Sequence, residues 1–500
     1  MRRRQLIGFF FLSFIAISCD KWSDHDKIES DLNTTLWQEI SNNPNLSTFA
    51  GYIKDTGYDQ LLKSSIAATV WAPDNDALAS LRASLINDPD SLSQLVANHI
   101  CYSQYFTKTT SVRIKMISGK NLTWSSDNFA GAGLLLTNKY TRNGVLHIID
   151  EAVVPKMNIW QYLKQSTEGP KHRDYLVSLD HQVFVDSLAT QTAVDPLTGR
   201  PIYQPGTGLV LKNDYLDKVA SLDNEDSTYT YILMTDDAYT AELTKLTPYF
   251  KGKIQADSIT LKSWHLVKDL AFNKYYSYDN LPGVLLSKWN VKVPIDKSAI
   301  VKSIPLSNGI IHVMKKVDFA LRQKIDTIRV EGESSFSYLF LNNGGIVISG
   351  NTAYIHHRVR AGASNNMDLE VSPGYASSGG VIVTYQVPVY SGTYEVYWTV
   401  YNNAYLINTL NATTGIYSSV LTNFSQRLDL DVMKPITAPT FPLTAVGLKI
   451  PNRVKLGEYT VSNYKMLNLY LISNYVTTAG AAVNGSPLNL DNIELVPKLN

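Results

Sequence analysis

Histidines, cysteines and close carboxylate pairs are the residues whose chemistry could be put to work in this chain of 500 residues. His99, His147, His265 and His312 each stand alone among apolar neighbours. No two have the H-E-x-x-H spacing that sets two imidazoles on one helix face for zinc, so each is expected as a satisfied core residue. His356 and His357 are adjacent, and in a strand their rings point to opposite faces, where they cannot grip one ion. Asp368 shares a strand parity with Glu370, as Asp429 does with Asp431. Paired carboxylates serve a glycosidase and oxygen clusters hold calcium. The polar, alternating setting of both pairs instead predicts a solvated strand face. There is no G-x-S-x-G, no P-loop and no G-x-G-x-x-G. The expectation is a protein with no catalytic residues, no metal site and no cofactor, and not an enzyme.

The two cysteines sit in different settings. Cys101, within NHICYSQYF, reads as a buried small hydrophobe. Cys19 follows the basic run Arg2-Arg3-Arg4 and an apolar stretch from Leu6 to Ser18. That stretch falls short of the roughly 20 apolar residues a spanning helix needs, and it has the flanks of a secretory leader. The small residues Ala16 and Ser18 before Cys19, and the polar run DKWSDHDK that begins just after it at Asp20, resemble a bacterial lipobox. The resemblance implies a signal peptide over 1–18, lipid on Cys19 and a lipidated tether over 19–31. One acyl chain binds a membrane only marginally, whereas the several chains of a bacterial lipoprotein make a stable anchor. Asp20, Asp24 and Asp26 resemble the acidic export signal of some Gram-negative surface lipoproteins, which implies an outer-membrane address facing the exterior. Removing Arg2, Arg3 and Arg4 leaves 45 − 3 = 42 basic against 44 acidic residues. That balance offers no basic field, and nucleic acid is not expected as a partner.

Behind these residues stands an internal repeat. Asn143-Gly144-Val145-Leu146-His147 recurs as Asn308-Gly309-Ile310-Ile311-His312, and His99 recurs as His265. Val70 to Ala77 matches Tyr231 to Ala238, and Leu36-Trp37-Gln38 matches Ile159-Trp160-Gln161. The spacing between these last two matches lengthens in the second copy, which places an insertion at about 185–225, with DPLTGRPIYQPGTG as its tip. Each copy reads as an amphipathic helix, an apolar strand ending in Asp residues able to cap a helix, a helix near the His, and a closing strand. The Asn-Gly before that strand is accounted for by turn geometry. Thr69-Val70-Trp71-Ala72-Pro73-Asp74-Asn75-Asp76-Ala77 and the closing run Asn143 to Asp150 resemble the signatures of the fasciclin domain. The second copy resembles it more distantly, lacking the Pro of the first signature and carrying Lys315 where the Asp stands. The resemblance implies α+β domains at 32–155 and 156–321, and an extracellular adhesion or interaction module.

From about residue 322 the helical signals vanish, and short alternating runs such as GGVIVTYQVPVY and GTYEVYWTVYN predict an all-β sandwich, jelly-roll-like, over 322–500. Gly392-Thr393-Tyr394-Glu395-Val396 recurs as Gly457-Glu458-Tyr459-Thr460-Val461. Both copies, and the closing run SPLNLDNIELVP, resemble strands of carbohydrate-binding β-sandwich modules. Alternation puts Tyr394, Val396, Trp398 and Val400 on the core face. Tyr397 and Tyr401 fall on the mixed face, where two rings could stack on a sugar. The whole chain resembles lipoproteins accessory to SusC/SusD-type uptake systems. That likeness implies polysaccharide and SusC/SusD-like outer-membrane proteins as partners, besides the membrane reached through the Cys19 lipid. The alternative is a structural adhesion or complex-scaffolding protein with no small ligand, marked by a flat sandwich face without exposed aromatics.

Overall fold

The computed structural model describes residues 33–107, 110–252, 255–342, 345–347, 353–373, 381–402, 406–410, 413–415, 417–421, 423–435, 437–447, 451–474 and 487–499. The expected leader, Cys19 and tether lie outside them.

The opening helix of each repeat starts on reciprocal capping. Thr35 and Asn158 cap Leu36–Asn42 and Ile159–Gln165, and Gln38 and Gln161, three residues on, reach back to the cap. The Gln of the repeated Trp-Gln is therefore a helix-start residue. The strands Ala68–Pro73 and Tyr229–Met234 are buried throughout. They run parallel to Gly144–Ile149 and Gly309–Met314, with Ala68 opposite Gly144 and Tyr229 opposite Gly309. The two copies thus share one register. Asp74 caps the next helix in the first copy; in the second the cap is Thr235, one residue before the Asp pair.

The Asn-Gly pairs do more than turn the chain, which corrects the expectation above. A Cβ on Gly144 would lie 2.0 Å from the Ala68 carbonyl oxygen, and one on Gly309 2.0 Å from that of Tyr229. The glycine permits two parallel strands to meet. The buried Asn143 amide accepts the Leu36 N–H and donates to the Leu62 and Ser64 carbonyls. Asn308 accepts the Ile159 N–H and donates to Leu222 and Asn224. Each Asn therefore ties the opening helix to the closing strand of its copy.

The copies part on the far side of the sheet. In the first, seven strands run in the order Ile100–Tyr102, Ala68–Pro73, Gly144–Ile149, Ala132–Thr141, Asn128–Phe129, Asn121–Trp124, Val112–Lys115. A second core forms there on Trp71, which stacks on Phe129 at 4.4 Å and meets Trp124 edge-on at 5.4 Å. In the second copy the sheet has four strands, and Ile232 occupies the register position of Trp71. That copy also carries an arm at 180–213. Asp180–Phe184 pairs with Leu209–Asn213, and Gln191–Val194 with Pro201–Tyr203 beyond it. Leu197, in the outermost turn, is 95% exposed.

The C-terminal region is an antiparallel sandwich. One sheet orders Ile328–Glu331, Asn492–Pro497, Gly392–Val400 and Asn452–Val461; the other is built on Ser337–Asn342, Val381–Val389, Lys465–Ser473 and Phe424–Leu430. Tyr394, Val396, Trp398 and Val400 enter the core between them. The two G-x-Y-x-V runs lie side by side, Val396 opposite Gly457 and Gly392 opposite Val461.

Candidate functional site

The repeat histidines are structural. His99 Nδ1 pairs with the Leu95 carbonyl, and Nε2 accepts the Val153 N–H. His147 Nε2 pairs with the Tyr105 carbonyl and His312 Nε2 with that of Tyr276, the same bond in both copies. Burial holds His99 and His147 down at about 4, and His265 at about 3. At neutral pH these are uncharged packing groups. A further buried histidine, His172, takes the Tyr231 hydroxyl at 2.8 Å. Cys101 is fully buried, and burial pushes its thiol up to about 12.

The two tyrosines singled out for a sugar do not form a platform. Tyr397 is half-buried; its hydroxyl donates to Glu395, and the Arg453 guanidinium lies 3.8 Å over its ring. Tyr401 follows the last residue of its strand, so alternation no longer applies. It is 4% exposed, donates to the Gly362 carbonyl and sits under Arg360. The placement of Tyr401 on an open face is corrected accordingly. Around Tyr397 the outer sheet face is an ion ladder, with Glu494 between Arg329 and Arg453 and Glu395 held by Lys455.

The carboxylate pairs also depart from expectation. Asp368 and Asp429 are fully buried rather than solvated. Burial would raise the Asp368 carboxyl, but Arg358, Asn489 and Arg360 together hold it below its ordinary range. Asp429 accepts the Lys434 and Thr440 N–H groups and closes a loop. At the sandwich edge Asp491 is buried near Glu331, Asp368 and Glu333, and burial followed by those charges pushes it up to about 6. It accepts the Ser364 N–H, and Ser364 donates onward to Glu331. Among the described residues no group of three His, Cys, Asp or Glu is placed to hold a metal.

Two interdomain seams are the features that sequence reasoning missed. At the first, Lys120 is nearly buried and pairs with Glu225 at 2.5 Å, while also donating to Gln161 and Ser307. Lys115 meets Asp226 at 2.7 Å and Arg113 donates to the Glu225 carbonyl. At the second, Ser391 donates to the Tyr249 and Pro248 carbonyls and accepts the Lys251 N–H, while Phe250, His265, Tyr390 and Tyr464 pack as rings. A polar groove of about 590 Å³ beside this seam is lined by Lys251, Thr393, Thr460 and the paired Glu458 and Lys498. No local pattern pairs residue 120 with 225, so only the folded chain shows the contact.

Residues 44–155 match the Fasciclin domain family model. Transforming growth factor-beta-induced protein ig-h3 of Sus scrofa is 28% identical over 141 residues, which is 26% of this chain and 21% of that protein. The chain thus spans about a fifth of the length of this curated relative. Among solved structures, a FAS1 domain pair from the insect cell adhesion molecule Fasciclin I is similar over 57% of this chain and 100% of its own, at 16% identity and a TM-score of 0.23. The xylan-binding CBM22-1 domain of Paenibacillus barcinonensis Xyn10C is similar over 32% of this chain and 94% of its own, at 13% identity and a TM-score of 0.17. The chain carries two α+β fasciclin-like domains followed by an all-β sandwich.

Proposed function

We propose that the chain is a non-enzymatic adhesion or scaffolding lipoprotein of the cell surface, held by lipid on Cys19 and binding other envelope macromolecules. The observation that carries the reading is the pair of seams. Buried Lys120 with Glu225, and Ser391 with the Tyr249 region, join the three domains in series. The internally paired ladder around Tyr397 supports scaffolding over sugar capture, because a ring already covered by Arg453 offers a glycan little to stack on. The Fasciclin match at 44–155 supports an adhesive module. SusC/SusD-type outer-membrane proteins are the first partners to seek.

Co-purification of the full chain from detergent-solubilised membranes tests this. A stoichiometric protein partner, with no polysaccharide retained on a glycan array, is the expected result. Glycan binding with no protein partner would replace the reading with the sugar-capture one. A Cys19→Ala variant that stays membrane-bound would remove the anchor.

A further inference from the structure

The two fasciclin-like domains each place a short hairpin before their last two strands, and the two hairpins differ in what they face. In the first domain Val112–Lys115 pairs with Asn121–Trp124, and its basic side chains Lys115 and Lys120 find Asp226 and Glu225 across the seam. In the second, Val284–Leu286 pairs with Lys292–Pro294. Leu285 and Val293 point inward, while Val284, Leu286 and Lys292 stand on the outer face, with Val284 54% and Leu286 58% exposed. Trp289, in the turn, is 38% exposed. Lys268 and Lys288 lie 4.9 and 5.5 Å from its ring, and Lys288 is steadied by the Lys218 carbonyl. No carboxylate among the described residues pairs with Lys268, Lys288 or Lys292.

We infer that this second hairpin is a membrane-contact surface, with Trp289, Leu286 and Val284 entering the interfacial layer and Lys268, Lys288 and Lys292 taking anionic lipid headgroups. Exposed aliphatic side chains gain nothing from a hydrated polyanion, but they gain from the acyl boundary of a bilayer. An indole prefers the headgroup level, where its apolar body and N–H are both served. Lysines flanking it keep their ammonium groups at the anionic surface while their stems cover apolar area. The surface acts without the Cys19 lipid, so its failure and the failure of the anchor are separable.

The test uses residues 33–500, which contain every core described above and lack both the leader and Cys19. The probes are vesicles of phosphatidylethanolamine with an equal share of phosphatidylglycerol, and vesicles of phosphatidylcholine alone. Flotation with the anionic vesicles only, weakened by salt, is expected. Each lysine near an anionic surface is worth about fivefold in affinity. Lys268→Gln with Lys288→Gln should therefore lose on the order of 25-fold with circular dichroism unchanged. Trp289→Phe should keep flotation but lose part of the blue shift in tryptophan emission. Leu197→Asp, on the arm, should change nothing. Absence of flotation, or flotation indifferent to the double lysine variant, overturns the inference. So does binding to soluble alginate without binding to vesicles.

Discussion

The two fasciclin-like copies solve the same problem on one face of the sheet and different problems on the other. On the helical face both use capped opening helices, the parallel strand pair and a buried Asn that ties helix to strand. On the far face the first copy adds strands and fills the space with Trp71, Trp124 and Phe129. The second gives up that aromatic core, and it has its own solution where the chain leaves for the sandwich. Lys324 pairs with the buried Asp269 at 2.6 Å, and Ser287 donates to the other carboxylate oxygen. The lesson is that the signature residues preserve the half of the domain that defines its register. The other half is free to become a core, a seam or an open surface.

Variants can break or sharpen this comparison. The largest effect is expected from Lys324→Ala, which strands the Asp269 charge in the interior and should cost about 4 kcal/mol. Hydrogen exchange read region by region should show the loss within the second copy, since a multidomain chain has no single unfolding free energy. A loss spread equally over both copies would mean that their cores are not independent. Next comes Trp71→Ile, which installs the second copy's residue in the first. It should cost about 3 kcal/mol, whereas Ile232→Val should cost about 1 kcal/mol. Equal costs would show that the aromatic core adds no stability beyond ordinary packing.

Asn143→Ala and Asn308→Ala should each cost about 2 kcal/mol, in matching amounts, because each removes the same three backbone bonds. Unequal costs in hydrogen exchange read copy by copy would break the claim that this tie is shared. A separate effect is one of pH. His99 and His147 are held at about 4 in the fold, below the ordinary 6.5, so their stabilisation is full above 6.5 and lost as pH falls toward 4. Asp491, raised from 3.8 to about 6, behaves oppositely: its contribution is full below 3.8 and lost as pH rises through 6. Acidification from 7 to 5 should therefore lower protection against exchange, corrected for the intrinsic rate at each pH, in the first copy while raising it around Asp491. Parallel changes in both regions would contradict this assignment.

Much of the architecture was legible because it is local. Alternation along 394–400 correctly put Tyr394, Val396, Trp398 and Val400 inward, since a strand has only two faces. The same reasoning failed one residue later, because the strand ends at Val400 and Tyr401 folds under Arg360. Asp368 looked solvated because Arg358 and Arg360, ten and eight residues before it, were not read as its partners. Several of the thirty tyrosines, among them Tyr215, Tyr385, Tyr394 and Tyr401, turn out to be interior residues with backbone acceptors. Tyr385 donates to Gly332 and Tyr394 to Tyr390, a use that composition cannot separate from surface display.

The sequence by itself determined the repeat, the opening helix at each Trp-Gln site, the apolar strands, and the all-β character of the last third. Each follows from short-range capping, periodicity and turn chemistry. Only the tertiary structure decided that Gly144 and Gly309 serve strand approach, that Lys120 locks one domain to the next, and that the sandwich face around Tyr397 is closed by ion pairs. The physical reason is range. Backbone conformation is set within a few residues, whereas a buried charge or an open ring depends on which distant residue arrives beside it.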